Sequence, residues 1–258
     1  QGVAVDYRRL RVKTDRSNFT LNPTSCEPEA VNATVRSASG ASARPSDRFQ
    51  AVECAALGFK PKLDLALKGK MGRLGHPALH AVLSARPGDA NLKAASVALP
   101  HSVFLDQAHI GTVCTRVQFA ADACPARSVY GHAKAVTPLL DKPLTGPVYL
   151  RSSNHKLPDL VMALQGPNGL EIENAARIDS VRSGIRTSFE AIPDVPISKV
   201  VLDMKGGKKG LLVNSTDVCG RKLRATAAFD AQNGRVRDSK PVLRTRCGRG
   251  GKPPRGHR

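Results

Sequence analysis

Aromatic residues are scarce in this sequence of 258 residues, which has no Trp, 3 Tyr and 7 Phe. Sugar-binding grooves stack their ligands on aromatic side chains, so this composition argues against such a groove. No known DNA- or RNA-binding motif is present either, which argues against sequence-specific reading of nucleic acid. The apolar fraction is nevertheless 41%, so we expect a folded core and not a disordered chain.

Long apolar runs are also missing. No window of 18 apolar residues occurs, so the sequence predicts no integral membrane segment. There is no signal peptide, and the chain begins with Gln1 instead of Met, which predicts a processed or excised product.

Acidic residues are few compared with basic ones. The sequence has 21 Asp and Glu and 40 Lys and Arg, which gives a net charge of +19. A charge of this size attracts polyanions such as nucleic acid, anionic wall polymers or acidic membrane surfaces. The alternative is that the charge serves solubility and weak non-specific attraction. The candidate polyanion-binding residues lie in a Gly-Lys turn and in the C-terminal tail: Lys205, Lys208, Lys209, Arg249, Lys252, Arg255 and Arg258.

Six cysteines fall into sequence-local pairs: Cys26, Cys54, Cys114, Cys124, Cys219 and Cys247. The first two and the last two are each 28 positions apart, which predicts Cys26–Cys54 and Cys219–Cys247 bonds and leaves Cys114–Cys124 as a small clip. None forms a C-x-x-C metal or redox motif. Local disulfides are typical of an oxidising compartment outside the cytoplasm; the alternative is six reduced, buried thiols in a cytosolic protein.

The equal cysteine spacing belongs to a longer internal match. Leu10, Lys13, Asn22 and Thr24 align with Leu202, Lys205, Asn214 and Thr216. Further on, Ala33-Thr34 aligns with Ala225-Thr226, and Ser39-Gly40 aligns with Asn233-Gly234. We therefore predict that residues 6–54 and 198–247 are two copies of one β unit, in which Asn-Gly marks a hairpin turn.

The two copies differ in what precedes them. Strand-like sequence over residues 146–197 precedes the second copy, whereas almost nothing precedes the first. A unit without its neighbouring strands exposes strand edges, which favours pairing with another module or another chain.

Short apolar or alternating segments separated by Gly and Pro fill the rest of the chain. They predict strands at residues 59–67, 78–85, 94–99, 129–136, 148–151, 160–165, 170–173, 177–181, 185–191 and 199–204. Helical turns are expected only in residues 102–110 and 115–121. We therefore expect an all-β fold of tandem β-sandwich-like modules with local disulfides.

Four domains follow from this pattern. They are a partial β module at residues 1–55, a sandwich-like domain with an irregular Cys-clipped segment at 56–145, a β module at 146–247 and a flexible basic tail at 248–258.

Residues 99–160 and 177–214 resemble consecutive blocks of large secreted proteins of soil actinobacteria. The resemblance covers nearly the whole chain up to Cys247. It implies export and a tandem arrangement of β modules. It implies no catalytic residues, because no activity is assigned to those proteins.

Candidate metal ligands are few. His76 and His80 are four positions apart, but Pro77 and the alternating context favour a strand, on which the two rings lie too far apart to share a metal. We therefore predict no metal site and no cofactor.

Candidate catalytic groups are equally few. His101, Asp106 and His109 lie near Ser102, but no G-x-S-x-G context accompanies them, and solvated or capping roles are the alternative. Asp179 and Glu190 are a possible carboxylate pair without an aromatic platform. We therefore predict no catalytic residues and no enzyme activity.

Three functions remain open. The first is an exported structural or assembly protein of the cell surface or extracellular matrix, which binds itself or neighbouring modules by strand addition and polymerises. The second is a secreted module that binds an anionic polymer. The third is a wall hydrolase built on His101, Asp106 and His109. The repeat, the local disulfides and the incomplete first copy favour the first, with polyanion binding as an accompaniment.

Overall fold

The structure, a computed structural model, describes residues 9, 11–13, 15, 20–181 and 184–247. In these ranges the chain forms nineteen β-strands and one short α-helix, so the predicted all-β fold class is confirmed. The strands are β1 (Glu29–Asn32), β2 (Val35–Arg36), β3 (Ser42–Ala43), β4 (Ser46–Phe49), β5 (Lys62–Lys68), β6 (Ala78–Ser84), β7 (Leu92–Ala98), β8 (Val103–Leu105), β9 (Val129–Val136), β10 (Leu144–Arg151), β11 (Asp159–Gln165), β12 (Glu171–Val181), β13 (Gly184–Phe189), β14 (Lys199–Met204), β15 (Leu212–Asn214), β16 (Leu223–Arg224), β17 (Thr226–Ala231), β18 (Val236–Ser239) and β19 (Val242–Thr245). The helix, α1, spans Arg116–Ala120.

One large curled sheet contains most of these strands, in the order β16-β19-β5-β6-β14-β9-β10-β11-β12-β13-β7-β17-β18. Side chains alternate between its faces; in β17, Ala227, Phe229 and Ala231 are buried and the residues between them are exposed. This alternation is expected of antiparallel strands with one face on a core. The result is a sandwich-like body with its apolar faces turned inward.

The last four strands form a hairpin, called hairpin 2 (residues 219–247). Its arms, β16–β17 and β18–β19, pair with each other through Leu223 opposite Leu243 and Phe229 opposite Arg237. On their outer sides β17 pairs with β7, and β19 pairs with β5 in parallel. Hairpin 2 therefore joins the two ends of the curled sheet.

Hairpin 2 also contributes to both main core clusters. Leu243 lies in the larger cluster with Leu65, Leu67 and Leu150, and each of the four is at most 2% exposed. Phe229 lies in the second cluster beside Phe59 and Ile192. Because full burial of one such side chain stabilises the fold by about 1.5–3 kcal/mol, the closing hairpin contributes substantially to stability.

A second hairpin, hairpin 1 (residues 26–54), is built from β1 to β4. Among the described residues, these four strands pair only with one another and lie outside the large sheet.

The sheet crosses the domain boundary expected between residues 145 and 146. The boundary falls within β10, which pairs with β9 from Leu144 opposite Ala135 to Tyr149 opposite Val129. Residues 137–143 are the connection between these two neighbouring strands. Residues 56–145 and 146–247 therefore do not form separate sheets.

Some local predictions also change. The strands predicted at 170–173 and 177–181 are one strand, β12, and the segment 102–110 holds a strand, β8, followed by a 3₁₀ turn, Gln107–His109. The helical turn predicted at 115–121 is confirmed as α1, which begins in a capping box between Thr115 and Gln118.

All six cysteines are paired as predicted: Cys26–Cys54, Cys114–Cys124 and Cys219–Cys247. Three local disulfides are typical of an oxidising, extracellular environment. None of the helices in the described part of the chain has the length and apolar character needed to cross a bilayer.

Replacing the hairpin 2 disulfide in a Cys219→Ser/Cys247→Ser variant opens a loop of 28 residues. Loop entropy predicts a loss of about 3–4 kcal/mol, and the transition temperature of the large sheet should fall by about 10 °C in calorimetry without reductant.

The matched control is Cys26→Ser/Cys54→Ser, which opens a loop of the same length in hairpin 1. Because hairpin 1 lies outside the large sheet, the main transition should move by less than about 2 °C. Equal shifts in the two variants would contradict a closing role for hairpin 2.

Candidate functional site

Hairpin 1 is a ribbon exposed on both faces. β1 pairs with β4 from Glu29 opposite Phe49 to Asn32 opposite Ser46, and β2 pairs with β3. Every residue in these four strands is exposed. A two-stranded ribbon is only marginally stable in water, so hairpin 1 is expected to need a second layer.

The two faces of hairpin 1 differ in character, because alternate residues along a strand point to opposite sides. One side, called the apolar face, carries Val31, Ala33, Val35, Ala43, Pro45 and Phe49, together with the acidic residues Glu29 and Asp47. The opposite side carries only polar and basic residues apart from Ala30: Asn32, Thr34, Arg36, Ser42, Arg44, Ser46 and Arg48. On the apolar face Val31, Val35 and Phe49 are 61%, 54% and 46% exposed, so this face is a candidate binding surface.

Hairpin 2 has the same arrangement of hydrogen bonds and turn. In hairpin 1 the Ala33 N–H donates to the Pro45 carbonyl at 3.0 Å, and in hairpin 2 the Ala225 N–H donates to the Pro241 carbonyl at 3.0 Å. Each hairpin turns at a glycine with positive φ, Gly40 at 86° and Gly234 at 80°, which is a conformation that glycine adopts without strain.

The two hairpins differ in what covers them. Counted from the Ala–Pro pair, Val31 and Val35 hold the positions of Leu223 and Ala227. Ala227 is 3% exposed because hairpin 2 lies against the core, whereas Val35 is 54% exposed. The same face is therefore covered in one hairpin and open in the other.

The root of hairpin 1 is fixed by Asp194. Its carboxylate accepts hydrogen bonds from the Thr24 N–H at 2.8 Å, the Thr24 hydroxyl at 2.8 Å and the Ser25 N–H at 2.9 Å. It also accepts one from Asn91 at 2.8 Å, at the start of β7. Hairpin 1 is thus anchored to the body at its base while its strands project.

The tip of hairpin 2 also contacts this root. The Asn233 side chain donates to the Cys54 carbonyl at 2.8 Å, and Arg235 donates to the Ala55 carbonyl at 2.7 Å. The turn of one hairpin therefore lies against the base of the other.

The predicted basic turn divides into exposed and internal lysines. Lys208 and Lys209 are exposed in a 3₁₀ turn, Gly207–Lys209. Lys205 is half-buried and donates to the Val129 carbonyl at 2.8 Å; burial lowers the pKa of this ammonium, and Lys209 lowers it further. The tail residues Arg249, Lys252, Arg255 and Arg258 lie outside the described residues.

The histidines that the sequence analysis singled out contact partners that are distant in sequence. His80 bonds to Asp203 at 2.6 Å, whereas His76 bonds to Asp106 at 2.8 Å and stacks on His109. The His76 hydrogen bond holds the pKa of Asp106 below its usual range.

The predicted set of His101, Asp106 and His109 is brought together only in part, since Asp106 Oδ2 and His109 Nε2 lie 3.9 Å apart. The side-chain hydrogen bonds of Asp106 go to His76 and to the Ala108 N–H, and not to His101 or Ser102. Asp179 lies opposite Arg186, so Glu190 is not its cross-strand neighbour.

Sequence reasoning missed the apolar face and the anchor at Asp194. The alternation in residues 29–36 and 42–49 is a usable signal for the face, but Asp47 interrupts it. The Asp194 contact to Thr24 spans 170 positions, and no local pattern indicates a contact of that range.

Comparison of the chain with protein-family models, with curated proteins and with solved structures finds no match.

An Asp194→Ala variant should loosen the root of hairpin 1, since four hydrogen bonds to one carboxylate disappear. Charge-assisted bonds contribute about 1.5–3 kcal/mol each, so the Ala56 and Leu57 amides, which do not bond to Asp194, should exchange about 10-fold faster or more. Hydrogen exchange by NMR measures this.

Asp203→Ala is the control, because that carboxylate bonds to His80 away from the root. Unchanged exchange at Ala56 and Leu57 in the Asp194 variant would mean that the root is held by other contacts.

Proposed function

We propose that this chain is an exported assembly protein in which hairpin 1 completes the sheet of another module, one that has the strands of residues 56–197 but no closing hairpin of its own. The observation that carries the proposal is the open apolar face of hairpin 1, whose counterpart in hairpin 2 lies against the core. The chain then acts by binding and not by catalysis.

Hairpin 2 indicates how such docking proceeds. Its Leu243–Thr245 strand segment runs parallel to Leu65–Leu67 of β5, while β17 pairs with β7. In the same register, Asp47, Arg48 and Phe49 would pair with the β5 strand of the receiving module. Strand addition of this kind gains affinity from main-chain hydrogen bonds and specificity from alternate side chains.

The contact between the two hairpins supports assembly in series. In this chain the tip of hairpin 2 lies against the base of hairpin 1 through Asn233 and Arg235. If hairpin 1 closes the sheet of a preceding module as hairpin 2 closes its own sheet, every pair of consecutive modules is joined in the same geometry. Such repetition generates a linear array.

Export and a surface or matrix location are part of the proposal. Three local disulfides favour an oxidising compartment. The resemblance to secreted tandem-module proteins of actinobacteria points to the same location, and the aligned positions of the two hairpins favour a duplicated unit.

The test is an extended chain in which residues 56–197 are placed directly ahead of Asp6, so that the first copy gains the strands that precede the second. The amides of β2 and β4 should then exchange at least about 100-fold more slowly than in the natural chain, because the added β5 and β7 pair with them. Hydrogen exchange with mass spectrometry measures the difference.

Two substitutions on neighbouring residues provide the matched comparison. Val35→Asp places a charge on the apolar face and should abolish the added protection, whereas Thr34→Asp on the opposite face should preserve it. Fast exchange of β2 and β4 in the extended chain, or equal effects of the two substitutions, would refute docking by this face.

Polyanion binding is a second candidate, favoured by the position of the basic turn. Lys208 lines an open depression together with Lys70, His76 and His109, and Lys209 is exposed beside it. Two lysines therefore line one concave surface and a third lies beside it, an arrangement that favours an anionic polymer. Lys205 contributes less, since its ammonium bonds internally.

A Lys208→Ala/Lys209→Ala variant should elute from heparin resin at clearly lower salt, because two phosphate- or sulfate-facing charges are lost from one site. Lys60→Ala/Lys62→Ala removes two other exposed lysines and serves as the charge-matched control. Equal shifts of the elution salt concentration in both variants would mean that binding depends on net charge alone and would contradict a site at the basic turn.

A further inference from the structure

Three potential metal ligands from two distant segments of the chain meet beside the basic turn. His76 precedes β6, Asp106 caps the 3₁₀ turn that follows β8, and His109 is the last residue of that turn. One ligand atom from each lies within 4.8 Å of the others. The two imidazole rings are stacked, with centroids 3.9 Å apart and planes 8° from parallel.

The hydrogen bonds of His109 leave one ring nitrogen free to coordinate. Its Nδ1 lies 2.9 Å from the Gly210 carbonyl, which can only accept, so Nδ1 carries the hydrogen. In the neutral ring Nε2 then has a free lone pair, and it lies 3.9 Å from Asp106 Oδ2. A backbone carbonyl that fixes the second nitrogen is the usual support of a metal-bound histidine.

Asp106 is held in a similar way. One carboxylate oxygen accepts the Ala108 N–H at 3.0 Å, which leaves the other directed at His76 Nε2 at 2.8 Å. When a metal binds Nε2 of the neutral His76 ring, the hydrogen on that nitrogen moves to Nδ1, so the ring changes tautomer and stays neutral. The carboxylate is thus oriented before any ion binds.

The spacing of these atoms suits a small transition-metal ion. Zinc binds nitrogen and carboxylate oxygen at about 2.0–2.2 Å, so tetrahedral ligands lie about 3.4 Å apart. The separations of 2.8 Å between His76 and Asp106 and of 3.9 Å between His109 and Asp106 lie on either side of that value. Because the two ring planes are 8° from parallel, one imidazole must rotate out of the stack before both nitrogens face one ion. Two imidazoles disfavour calcium and magnesium, which prefer oxygen ligands.

The neighbouring glycine turn holds the cluster in shape. The Gly207 N–H donates to the His76 carbonyl at 2.8 Å. Gly210 packs so closely that a side chain there would place its Cβ 2.9 Å from that of His76. The backbone on which two of the ligands depend is therefore tightly fixed.

We propose that His76, Asp106 and His109 bind one divalent transition-metal ion, with zinc as the best match. The three side chains leave a fourth coordination position for a tetrahedral ion, and His76 and His109 line the same depression as Lys70 and Lys208. Those lysines favour an anionic group in that position. The metal site thus lies beside the exposed lysines of the basic turn.

The experiment uses the full, disulfide-bonded chain without an affinity tag, titrated with zinc sulfate in a calorimeter. One equivalent should bind saturably, and His76→Gln, Asp106→Asn and His109→Gln should each weaken binding at least 10-fold. His80→Gln is the control, because it also removes a histidine that bonds to an aspartate, here Asp203, but lies outside the cluster. Its affinity for zinc should stay within 2-fold of that of the natural chain.

A second readout separates ligation from folding. Cobalt bound to the natural chain should give the visible absorption of a tetrahedral site, and His109→Gln should lose it while its metal-free melting temperature stays unchanged. Absence of saturable binding at one equivalent, or equal affinity of natural chain and His109→Gln, would overturn the proposal.

Discussion

Closure of the large sheet by hairpin 2 is the interaction on which the rest of the fold depends. Its two arms occupy the free edges of β7 and β5, and its inner face supplies Phe229 and Leu243 to the two core clusters. Without it, two strand edges and the apolar surface behind them would face water, and such edges promote pairing with other chains. The Cys219–Cys247 bond keeps the arms together at the open end of the hairpin.

Hairpin 1 has the same design as hairpin 2, but it does not close a sheet. It has the same disulfide spacing, the same Ala–Pro hydrogen bond and a glycine turn, but its apolar face has no layer against it within the described residues. Asp194 and the tip of hairpin 2 hold its base in place while the strands project. In the proposed assembly this ribbon is the connector between modules. The His76–Asp106–His109 cluster lies elsewhere, beside the basic turn, so the proposed metal site and the proposed assembly surface can be tested separately.

Local sequence patterns predicted the features that depend on residues close together in the chain. Cysteine spacing gave all three disulfides, alternation and Gly/Pro turns gave most strands, and the helical turn expected at residues 115–121 is α1. These patterns did not predict the features that depend on contacts between distant parts of the chain. The connection between β9 and β10 resembles a linker because nothing local reveals that its flanking strands are neighbours. The partner of His76 is Asp106, 30 positions away, and no local pattern indicates that contact. The half-buried position of Lys205 was not predicted either, since it depends on a hydrogen bond to Val129.

The most direct test of the central claim is a cryo-electron microscopy map of the protein in its native, assembled form. Docking by hairpin 1 predicts a strand beside each outer edge of the hairpin, with the one next to Asp47, Arg48 and Phe49 running parallel to β4, and the side chains of Val31 and Val35 enclosed. A map in which both edges of hairpin 1 have no strand beside them, or in which its apolar face lies open to solvent, would contradict the account.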